Sequence, residues 1–430
     1  MIQELKIQNF LSFKNQVELS FEATKDTTLE NSHIIEVAPG VRLLRLMMVM
    51  GANASGKSNL LLALEFLRDF WFDRKLELDE TTGVQPFLLD KITPGECTEM
   101  EIKFWHKGIK YWYLLKLDTE KVHEERLFFY RSVQPTRLFR RYLDEEGHSV
   151  ITINSEEIKI SKAALEELQL KCLRNMSFFA ARQQVNISLP IIDDARDWMR
   201  GGILPLIEPS SSMFEYAKRR LHEDIDLRQY ILDFVHQADF NITDVRSNEI
   251  RSNVNDELMQ VILDSPSIPK EEKDRVRRER TISRLNIEFE HTVNNERGAE
   301  HYLMPDGLQS LGTKRTLGLE TAIFEALHSN SLVVMDEFDA SLHPDLLEFS
   351  IQKFLQEKSE SQMLVTTHYD PLLATIDDLI RKDNVWFTEK NEDGSTSLYS
   401  LTEFKGLGKM SSMSIRNAYR HGQFGALPNI

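Results

Sequence analysis

The chain has 430 residues, of which 41% are hydrophobic and 28% are charged, and its formal net charge is -16. A chain of this length has room for two or three lobes. The acidic balance argues against a protein whose whole surface binds nucleic acid, although a local basic patch is compatible with it. The two cysteines, Cys97 and Cys172, are too few for a disulfide framework or a cysteine-rich metal site. No apolar run could span a bilayer and the first residues do not resemble a signal peptide, so we expect a cytoplasmic protein with no membrane partner.

Polar and apolar residues alternate in several segments, as is typical of half-buried strands. This pattern predicts strands, in chain order, at residues 2–10, 17–21, 100–105, 111–117, 127–130, 150–153 and 285–291, and a hairpin at 385–390 and 397–401. Helical spacing predicts helices at residues 60–70, 161–175, 213–238 with an interruption near Asp224, and 316–328.

The run at residues 270–280, KEEKDRVRRER, mixes bases with acids. A solvated, mixed-charge segment is the favoured interpretation, because its acids offset much of the positive charge. A nucleic-acid patch would require its arginines to share one face of a helix. No sustained heptad pattern occurs, so a long coiled-coil arm is not expected.

Residues 51–58, GANASGKS, fit the phosphate-binding pattern G-x-x-x-x-G-K-[ST]. They lie between an apolar run at residues 43–50 and the helix predicted at 60–70, which is the context that a P-loop requires. The alternative, a chance match in a glycine turn, does not account for that context. Lys57 would reach the β- and γ-phosphates of a nucleoside triphosphate, and Ser58 would bind Mg²⁺. The other nucleotide-binding residues expected here are Asn53, Ala54, Ser55, Gly56 and Asn59.

A second apolar strand, residues 332–335, ends in Asp336 and Glu337. Strands that exit to solvent often end in acids, but together with a P-loop this pattern indicates a Walker B motif. Asp336 would then bind the metal, and Glu337 would orient or deprotonate the attacking water. A third apolar stretch leads to Thr367 and His368, whose imidazole could donate to a γ-phosphate.

Ser310 and Gly312 precede the helix predicted at residues 316–328. A serine and a glycine at a helix start could bind phosphate through a hydroxyl and backbone N–H groups. The simpler interpretation is an ordinary N-cap. Their position about twenty residues before the Walker B strand favours the phosphate-binding role.

These motifs together resemble a known family. The residues involved are IQNFLSFK at 7–14, the P-loop, SLGT at 310–313, DEFDASLHP at 336–344, Thr367 with His368, and AYRHGQFGALP at 418–428. The chain resembles ABC-type ATPase heads of the SMC/RecF kind. It is more closely similar to AAA-type ATPases of bacterial abortive-infection and other anti-phage systems (RloA- and AbiLi-type proteins), such as the ATPase subunit of the PARIS system.

The resemblance implies an α/β P-loop NTPase fold of the ABC-ATPase head type, with an antiparallel β subdomain and an inserted helical subdomain. The corresponding boundaries are residues 1–155 for the N-terminal lobe, 156–284 for the helical insertion and 285–430 for the C-terminal lobe. Two heads would sandwich two ATP molecules with Mg²⁺, and Ser310 and Gly312 of one copy would contact the γ-phosphate held by the other.

In that arrangement, Asp339 would be the D-loop residue at the seam between the heads and His368 the switch histidine. Gln85 is the candidate Q-loop glutamine that senses Mg²⁺, and Gln183 or Gln184 is the alternative. The signature Ser-Leu-Gly-Thr replaces the Ser-Gly-Gly of transporters, so the resemblance does not indicate how strongly ATP would drive dimerisation.

Three functions compete at this point. The first is an ATP-hydrolysing switch in phage defence, triggered by DNA or a phage protein, that controls a separately encoded effector such as a TOPRIM-type nuclease or another toxin. The second is a DNA-repair or DNA-tethering ATPase of the RecF or SMC kind. The third, an ATPase fused to a TOPRIM nuclease, needs a metal-binding acidic cluster after His368. About fifty residues follow Ile380 and contain no such cluster, so we reject the third as a built-in activity.

Overall fold

The computed structural model describes residues 1–211, 213–238, 241–264 and 270–427. Among them the strands are β1 (Ile2–Gln8), β2 (Val17–Ser20), β3 (Ile34–Ala38), β4 (Val41–Leu44), β5 (Leu46–Gly51), β6 (Thr98–His106), β7 (Ile109–Leu117), β8 (Val122–Tyr130), β9 (Pro135–Leu143), β10 (Ser149–Ile153), β11 (Ile242–Asn253), β12 (Thr281–Asn295), β13 (Gly298–Pro305), β14 (Leu332–Met335), β15 (Gln362–Thr366), β16 (Val385–Lys390) and β17 (Thr396–Ser400). The α-helices are α1 (Glu30–His33), α2 (Lys57–Phe70), α3 (Lys162–Lys171), α4 (Phe178–Arg182), α5 (Pro190–Gly201), α6 (Met213–Glu223), α7 (Ile225–Gln237), α8 (Asp256–Asp264), α9 (Lys270–Glu279), α10 (Leu311–Ser329), α11 (Pro344–Gln356) and α12 (Ser412–Arg420).

The chain divides into two compact units. The first comprises Met1–Ser211, Glu325–Ala340 and Leu347–Ile430, and the second comprises Ser212–Phe324 and Ser341–Leu346. Within the part of the chain that the structure describes, no helix has both the length and the apolar character needed to cross a membrane.

The first unit contains a five-stranded sheet in the order β14-β15-β5-β16-β17. The first four strands are parallel, and β17 returns antiparallel to β16. Every residue of β5, β14 and β15 is buried, as expected for parallel strands that are covered on both faces. Because the strands are parallel, their carboxyl ends meet at one edge of the sheet.

The apolar run predicted as one strand at residues 43–50 is divided at Arg45, between β4 and β5. The Arg45 side chain is buried, and its guanidinium donates to the carbonyl oxygens of Ser32, Phe354, Leu355 and Glu357. These four acceptors offset the cost of burying the charge, and they tie the start of the P-loop strand to the end of α11.

The first unit also contains a seven-stranded sheet in the order β10-β9-β8-β7-β6-β1-β2, and all of its pairs are antiparallel. The strands predicted at residues 2–10, 17–21, 100–105 and 111–117 are confirmed as β1, β2, β6 and β7. Strand β9 was missed, because its arginines hide the apolar alternation. Arg141 is nevertheless fully buried there, and its guanidinium donates to carbonyl oxygens of Val122, Leu173 and Arg174.

The second unit contains the three-stranded antiparallel sheet β11-β12-β13 with helices α6 to α9. The predicted interruption near Asp224 is confirmed, since Asp224 Oδ1 accepts from the backbone N–H of Asp226 and of Leu227 and caps α7. The segment 156–284, predicted as a helical insertion, also contains the strand β11, which pairs with β12. The charged run at 270–280 forms helix α9 over Lys270–Glu279.

Glu125, a residue of β8 in the seven-stranded sheet, has a fully buried carboxyl group. Glu125 Oε1 accepts from the hydroxyl of Tyr113 at 2.9 Å, and Oε2 accepts from the backbone N–H of Phe178 at 2.7 Å. Burial raises the pKa of Glu125 to about 7, although the neighbouring Arg141 guanidinium opposes this shift. The folded state therefore favours the protonated carboxyl group.

Because the pKa of Glu125 is higher in the folded than in the unfolded chain, its contribution to stability is full below the unfolded pKa of 4.5 and is lost as the pH rises through about 7. Glu125→Gln stays neutral at every pH. Relative to Glu125→Gln, we expect the wild-type free energy of unfolding to fall by about 1–3 kcal/mol between pH 5 and pH 8 in denaturant titrations. The exposed Glu145→Gln should show no such trend, and a pH-independent difference for Glu125→Gln would contradict the assignment.

Candidate functional site

The P-loop connects β5 to α2 at the carboxyl edge of the parallel sheet. Ala54 and Gly56 have positive φ angles of 61° and 107°, which turn the chain back before the helix begins at Lys57. A Cβ atom on Gly51 would lie 2.5 Å from the carbonyl oxygen of Thr388 and 2.7 Å from Ser55 Oγ. Glycine is therefore required at Gly51 by the close approach of β16.

Four hydroxyl groups hold this loop in place. Ser55 Oγ and Thr388 Oγ1 are hydrogen-bonded at 2.6 Å. Thr396 Oγ1 lies 2.8 Å from both the carbonyl oxygen of Ser55 and Ser12 Oγ, and Asn59 Nδ2 donates to Ser12 Oγ at 2.8 Å. The P-loop is thus supported by the β1–β2 turn on one side and by the β16–β17 hairpin on the other.

Lys57 is buried, and its ammonium group donates to the carbonyl oxygens of Gly51 and Ala52, each at 3.0 Å. Burial lowers the pKa of Lys57, while the carboxylates of Asp336, Glu337 and Asp339 act in the opposite direction. The first unit therefore brings the P-loop lysine and all three predicted acids into one electrostatic environment.

The two Walker B acids follow β14, which is paired with β15. Thr366, the last residue of β15, donates its hydroxyl to Asp336 Oδ1, and Thr366 Oγ1 accepts from the backbone N–H of Glu337 at 2.8 Å. Glu337 has a φ of 44°, in the left-handed region, and its side chain is exposed. Asp336 is therefore held inward at the sheet edge, while Glu337 faces outward.

Asp339 and His368 also meet at this edge. Asp339 Oδ1 accepts from the hydroxyl of Thr367 at 2.7 Å and from the backbone N–H of His368 at 3.2 Å. Desolvation and the positive charge of Lys57 lower the pKa of His368, against the effect of the nearby acids. The imidazole is therefore held in its neutral form at neutral pH, with one N–H available as a donor.

An open cleft of about 690 Å³ lies beside the P-loop. Its lining includes the P-loop residues Gly51, Ala52, Asn53 and Ala54, together with His368, Asp370, Thr388, Glu389, Lys390, Tyr419, Arg420, Ala426 and Leu427. Ser58 is exposed in the first turn of α2 and follows the cleft residues Gly51 to Ala54 closely in sequence. The predicted residues Asn53, Ala54, Lys57, Asp336, Glu337, Asp339 and His368 thus belong to one site of the first unit.

Ser55, Gly56, Ser58 and Asn59 lie in the P-loop and at the start of α2, whereas the other predicted residues lie elsewhere. Gln85 is exposed, accepts from the backbone N–H of Leu11 through its carbonyl oxygen, and lines another cavity of about 340 Å³ with residues of α2 such as Phe66. The alternative, Gln183, has its Nε2 atom 3.5 Å from the carbonyl oxygen of Phe72. The assignment of the Q-loop glutamine remains a prediction.

Ser310 and Gly312 belong to the second unit. Ser310 is exposed, and its Oγ accepts from the backbone N–H of Thr313 at 3.0 Å, so Ser310 is an N-cap of α10. A Cβ atom on Gly312 would lie 3.3 Å from the carbonyl oxygen of Ser341. Their contact with a nucleotide remains a prediction.

Several residues of the site were missed by the sequence analysis. Ser12 and Arg420 lay in segments that were noted for their resemblance, but no role followed from it. Thr388 and Thr396 lie in a hairpin that was predicted correctly. Only the presence of a threonine in each strand of that hairpin could have indicated them, and threonine in a strand is too common to indicate a role.

The residues present fit a nucleoside triphosphate. The N-cap of α2 is Gly56, which has no side chain, so side-chain capping satisfies none of the first N–H groups of the helix. Such a helix start binds phosphate oxygens readily. Within the described residues, no group of three or more His, Cys, Asp or Glu side chains is arranged as a metal site. Mg²⁺ is commonly held by one or two carboxylates together with phosphates and water.

One known protein family matches most of the chain. The family described as "AAA domain, putative AbiEii toxin, Type IV TA system" matches residues 46–171 and 184–374, which is more than half of the chain and includes the P-loop, both Walker B acids and His368. The chain belongs to this AAA domain family. The predicted α/β P-loop fold with an antiparallel β subdomain is confirmed by the five-stranded and seven-stranded sheets of the first unit.

No curated protein matches this AAA-family chain. Similar solved structures include the SMC head domain from Thermotoga maritima, which is 12% identical, with 93% of this chain and 98% of that chain covered and a TM-score of 0.39. Another is an SMC head bound to the C-winged helix domain of ScpA, 14% identical, with 95% of this chain and 99% of that chain covered and a TM-score of 0.39.

The Thr366 hydroxyl should stabilise the Walker B turn. Thr366→Val keeps the shape of the side chain but removes one hydrogen bond to Asp336 and leaves the part-buried N–H of Glu337 without its acceptor. We expect a loss of about 1–3 kcal/mol in the free energy of unfolding, measured by urea titration. Thr366→Ser, which keeps the hydroxyl, is the matched control. Equal stability of the two variants would show that the hydroxyl is dispensable.

Proposed function

We propose that the chain binds ATP with Mg²⁺ and hydrolyses it to ADP and phosphate. The observation that carries this proposal is that Lys57, Asp336, Glu337, Asp339 and His368 share one environment at the carboxyl edge of the parallel sheet. Ligands of open α/β sheets bind outside the carboxyl ends of the strands, which is where these side chains lie.

We assign each residue a role in binding or hydrolysis. Lys57 and the N–H groups at the start of α2 would hold the phosphates, and Asn53 to Asn59 form the loop around them. Ser58 and Asp336 would hold Mg²⁺, which neutralises phosphate charge, with Gln85 as the proposed sensor of the metal. Glu337 is exposed and would take the proton of the attacking water. The neutral His368 would donate one hydrogen bond to the γ-phosphate.

Two copies of the chain would act together. Ser310 is exposed at the start of α10, and Leu308 and Leu311 on either side of it are 72% and 80% exposed. Exposed leucines beside a polar helix start favour a surface that is covered by another molecule. We propose that this surface faces the P-loop of a second copy, with Ser310 and Gly312 on the γ-phosphate and Asp339 near the seam.

We further propose that ATP turnover times a defence response against phage. The description of the matched family names a toxin of a type IV toxin–antitoxin system. An ATPase that opens and closes a dimer is suited to inhibiting a separate toxin or nuclease until it is needed. DNA or a phage protein would be the trigger. The alternative is a RecF- or SMC-like ATPase in DNA repair or tethering, which requires a basic DNA-facing groove.

Purification of the chain from its native operon, with mass spectrometry of the co-purifying proteins and native mass of the complex, separates these alternatives. Recovery of a stoichiometric nuclease or toxin supports the defence role. Recovery of replication or recombination proteins with bound DNA, and no toxin, would favour repair.

Glu337→Gln should bind ATP with unchanged affinity but hydrolyse it slowly, because the attacking water loses its base. Loss of a general base commonly costs about 10²–10⁴-fold in turnover. The ATP-bound dimer should live longer, as measured by light scattering, and adding Ser310→Arg should return it to monomer. The exposed Glu360→Gln is the control for a lost surface charge. Unchanged turnover would rule out the assigned role of Glu337.

Lys57→Ala should abolish nucleotide binding, since it removes the ammonium group that would contact the phosphates. Calorimetry with a non-hydrolysable ATP analogue measures the binding, and circular dichroism checks that the variant is folded. The same substitution in cells carrying the operon should abolish protection against phage, whereas Lys358→Ala should not. Full protection by Lys57→Ala would make ATP binding incidental to the defence.

A further inference from the structure

The loop that carries His368 is bound by two arginines of α12. Asp370, two residues after His368, accepts from Arg416 Nε at 2.9 Å, and it accepts from Arg420 Nε at 2.6 Å and Arg420 Nη2 at 3.1 Å. Although burial opposes ionisation of this carboxyl group, the two arginines lower the pKa of Asp370 below its usual value. Asp370 is therefore a carboxylate held between two guanidinium groups.

Helix α12 is itself anchored on the core sheet. Tyr419 stacks on Phe387 of β16, with ring centroids 5.5 Å apart, and Phe424 packs against Phe387 and Phe404 at 6.1 Å and 4.9 Å. The Tyr399 hydroxyl of β17 donates to the carbonyl oxygen of Phe424 at 2.8 Å. The two arginines thus belong to a helix that packs against β16, the strand paired with the P-loop strand β5.

The bound loop leads directly to the candidate catalytic side chain. The backbone N–H of Asp370 donates to the carbonyl oxygen of His368 at 3.0 Å, and the backbone N–H of Tyr369 donates to Thr367 Oγ1 at 3.0 Å. Asp339 holds the other end of the same turn through Thr367 and His368. His368, Asp370, Tyr419 and Arg420 all line the cleft beside the P-loop.

We propose that Arg416 and Arg420 are positioning residues that fix His368 for ATP hydrolysis, so that the C-terminal segment from Ser411 to Leu427 is an integral wall of the nucleotide site. This inference rests on the proposed ATPase activity. We assign neither arginine a contact with the reacting atoms, because both guanidinium groups are bound to Asp370. Their effect passes through Asp370 to the turn that holds the imidazole, and a side chain displaced by about 1 Å can cost up to roughly 10²-fold in rate.

The kinetic test uses Arg420→Ala in the full chain, because the Arg420 side chain is 55% exposed and its loss should leave the fold intact. We expect kcat to fall roughly 10- to 100-fold. The affinity for a non-hydrolysable ATP analogue should change by less than about threefold, because the proposed contacts of Lys57 and the P-loop with the phosphates are left intact. A raised KM with unchanged kcat would overturn the proposal.

A double-mutant cycle separates positioning from general destabilisation. If Arg420 acts through His368, then Arg420→Ala should have no further effect on kcat in a His368→Ala background. Fully additive effects would overturn the proposal. Arg420→Lys, which keeps a positive charge for Asp370, should recover part of the lost turnover. Arg131→Ala is the matched control, because Arg131 is 66% exposed and pairs with Glu157 just after the end of β8.

Hydrogen–deuterium exchange tests the same contact without nucleotide. In Arg416→Ala/Arg420→Ala, the backbone amides of residues 367–370 should exchange faster than in wild type or in Arg131→Ala, because the turn loses its anchor. Unchanged exchange would overturn the positioning role whether or not the protein hydrolyses ATP. Absence of ATP turnover in the wild type would instead refute the proposed function, and the exchange result would still decide the role of the arginines.

Discussion

The position of β15 between β14 and β5 is the constraint on which the site depends. The three strands are parallel and in register, so their last residues reach the same edge together. Thr366 at that edge contacts both Walker B residues, and the backbone N–H of Thr367 donates to the carbonyl oxygen of Val49 in the P-loop strand at 3.1 Å. One strand end therefore sets the distance between the P-loop and the acids.

The electrostatics of the site follow from this closeness. A buried ammonium group is costly unless carbonyl oxygens or carboxylates lie nearby. Lys57 has both, since it donates to Gly51 and Ala52 and interacts with Asp336, Glu337 and Asp339. The same positive charge helps to keep His368 neutral. A bound phosphate would add to this balance, so nucleotide binding and the protonation of the site are expected to be coupled.

The fold was predictable where local periodicity is strong and failed where a buried charge interrupts it. The alternating aromatic strands β6 and β7 and the hairpin of β16 and β17 were predicted closely. Strand β9 was missed because Arg141, which has three carbonyl acceptors, lies in the sheet interior. Arg45 is also buried, and it divides the apolar run at residues 43–50 into two strands. A buried arginine depends on acceptors from distant segments, and local sequence patterns carry no information about them.

The sequence by itself determined which side chains form the candidate site: a P-loop lysine, two acids after an apolar strand, and a histidine after another. These motifs are readable because each depends on a short segment in which a strand ends and a turn begins. The tertiary structure alone decided which other residues support them. Thr396 is separated from Ser55 by 341 positions and from Ser12 by 384, yet its hydroxyl contacts both. Arg420 reaches the histidine loop only because Phe424 and Tyr419 dock α12 on the sheet. Such contacts arise from strand order and packing, which no local pattern encodes.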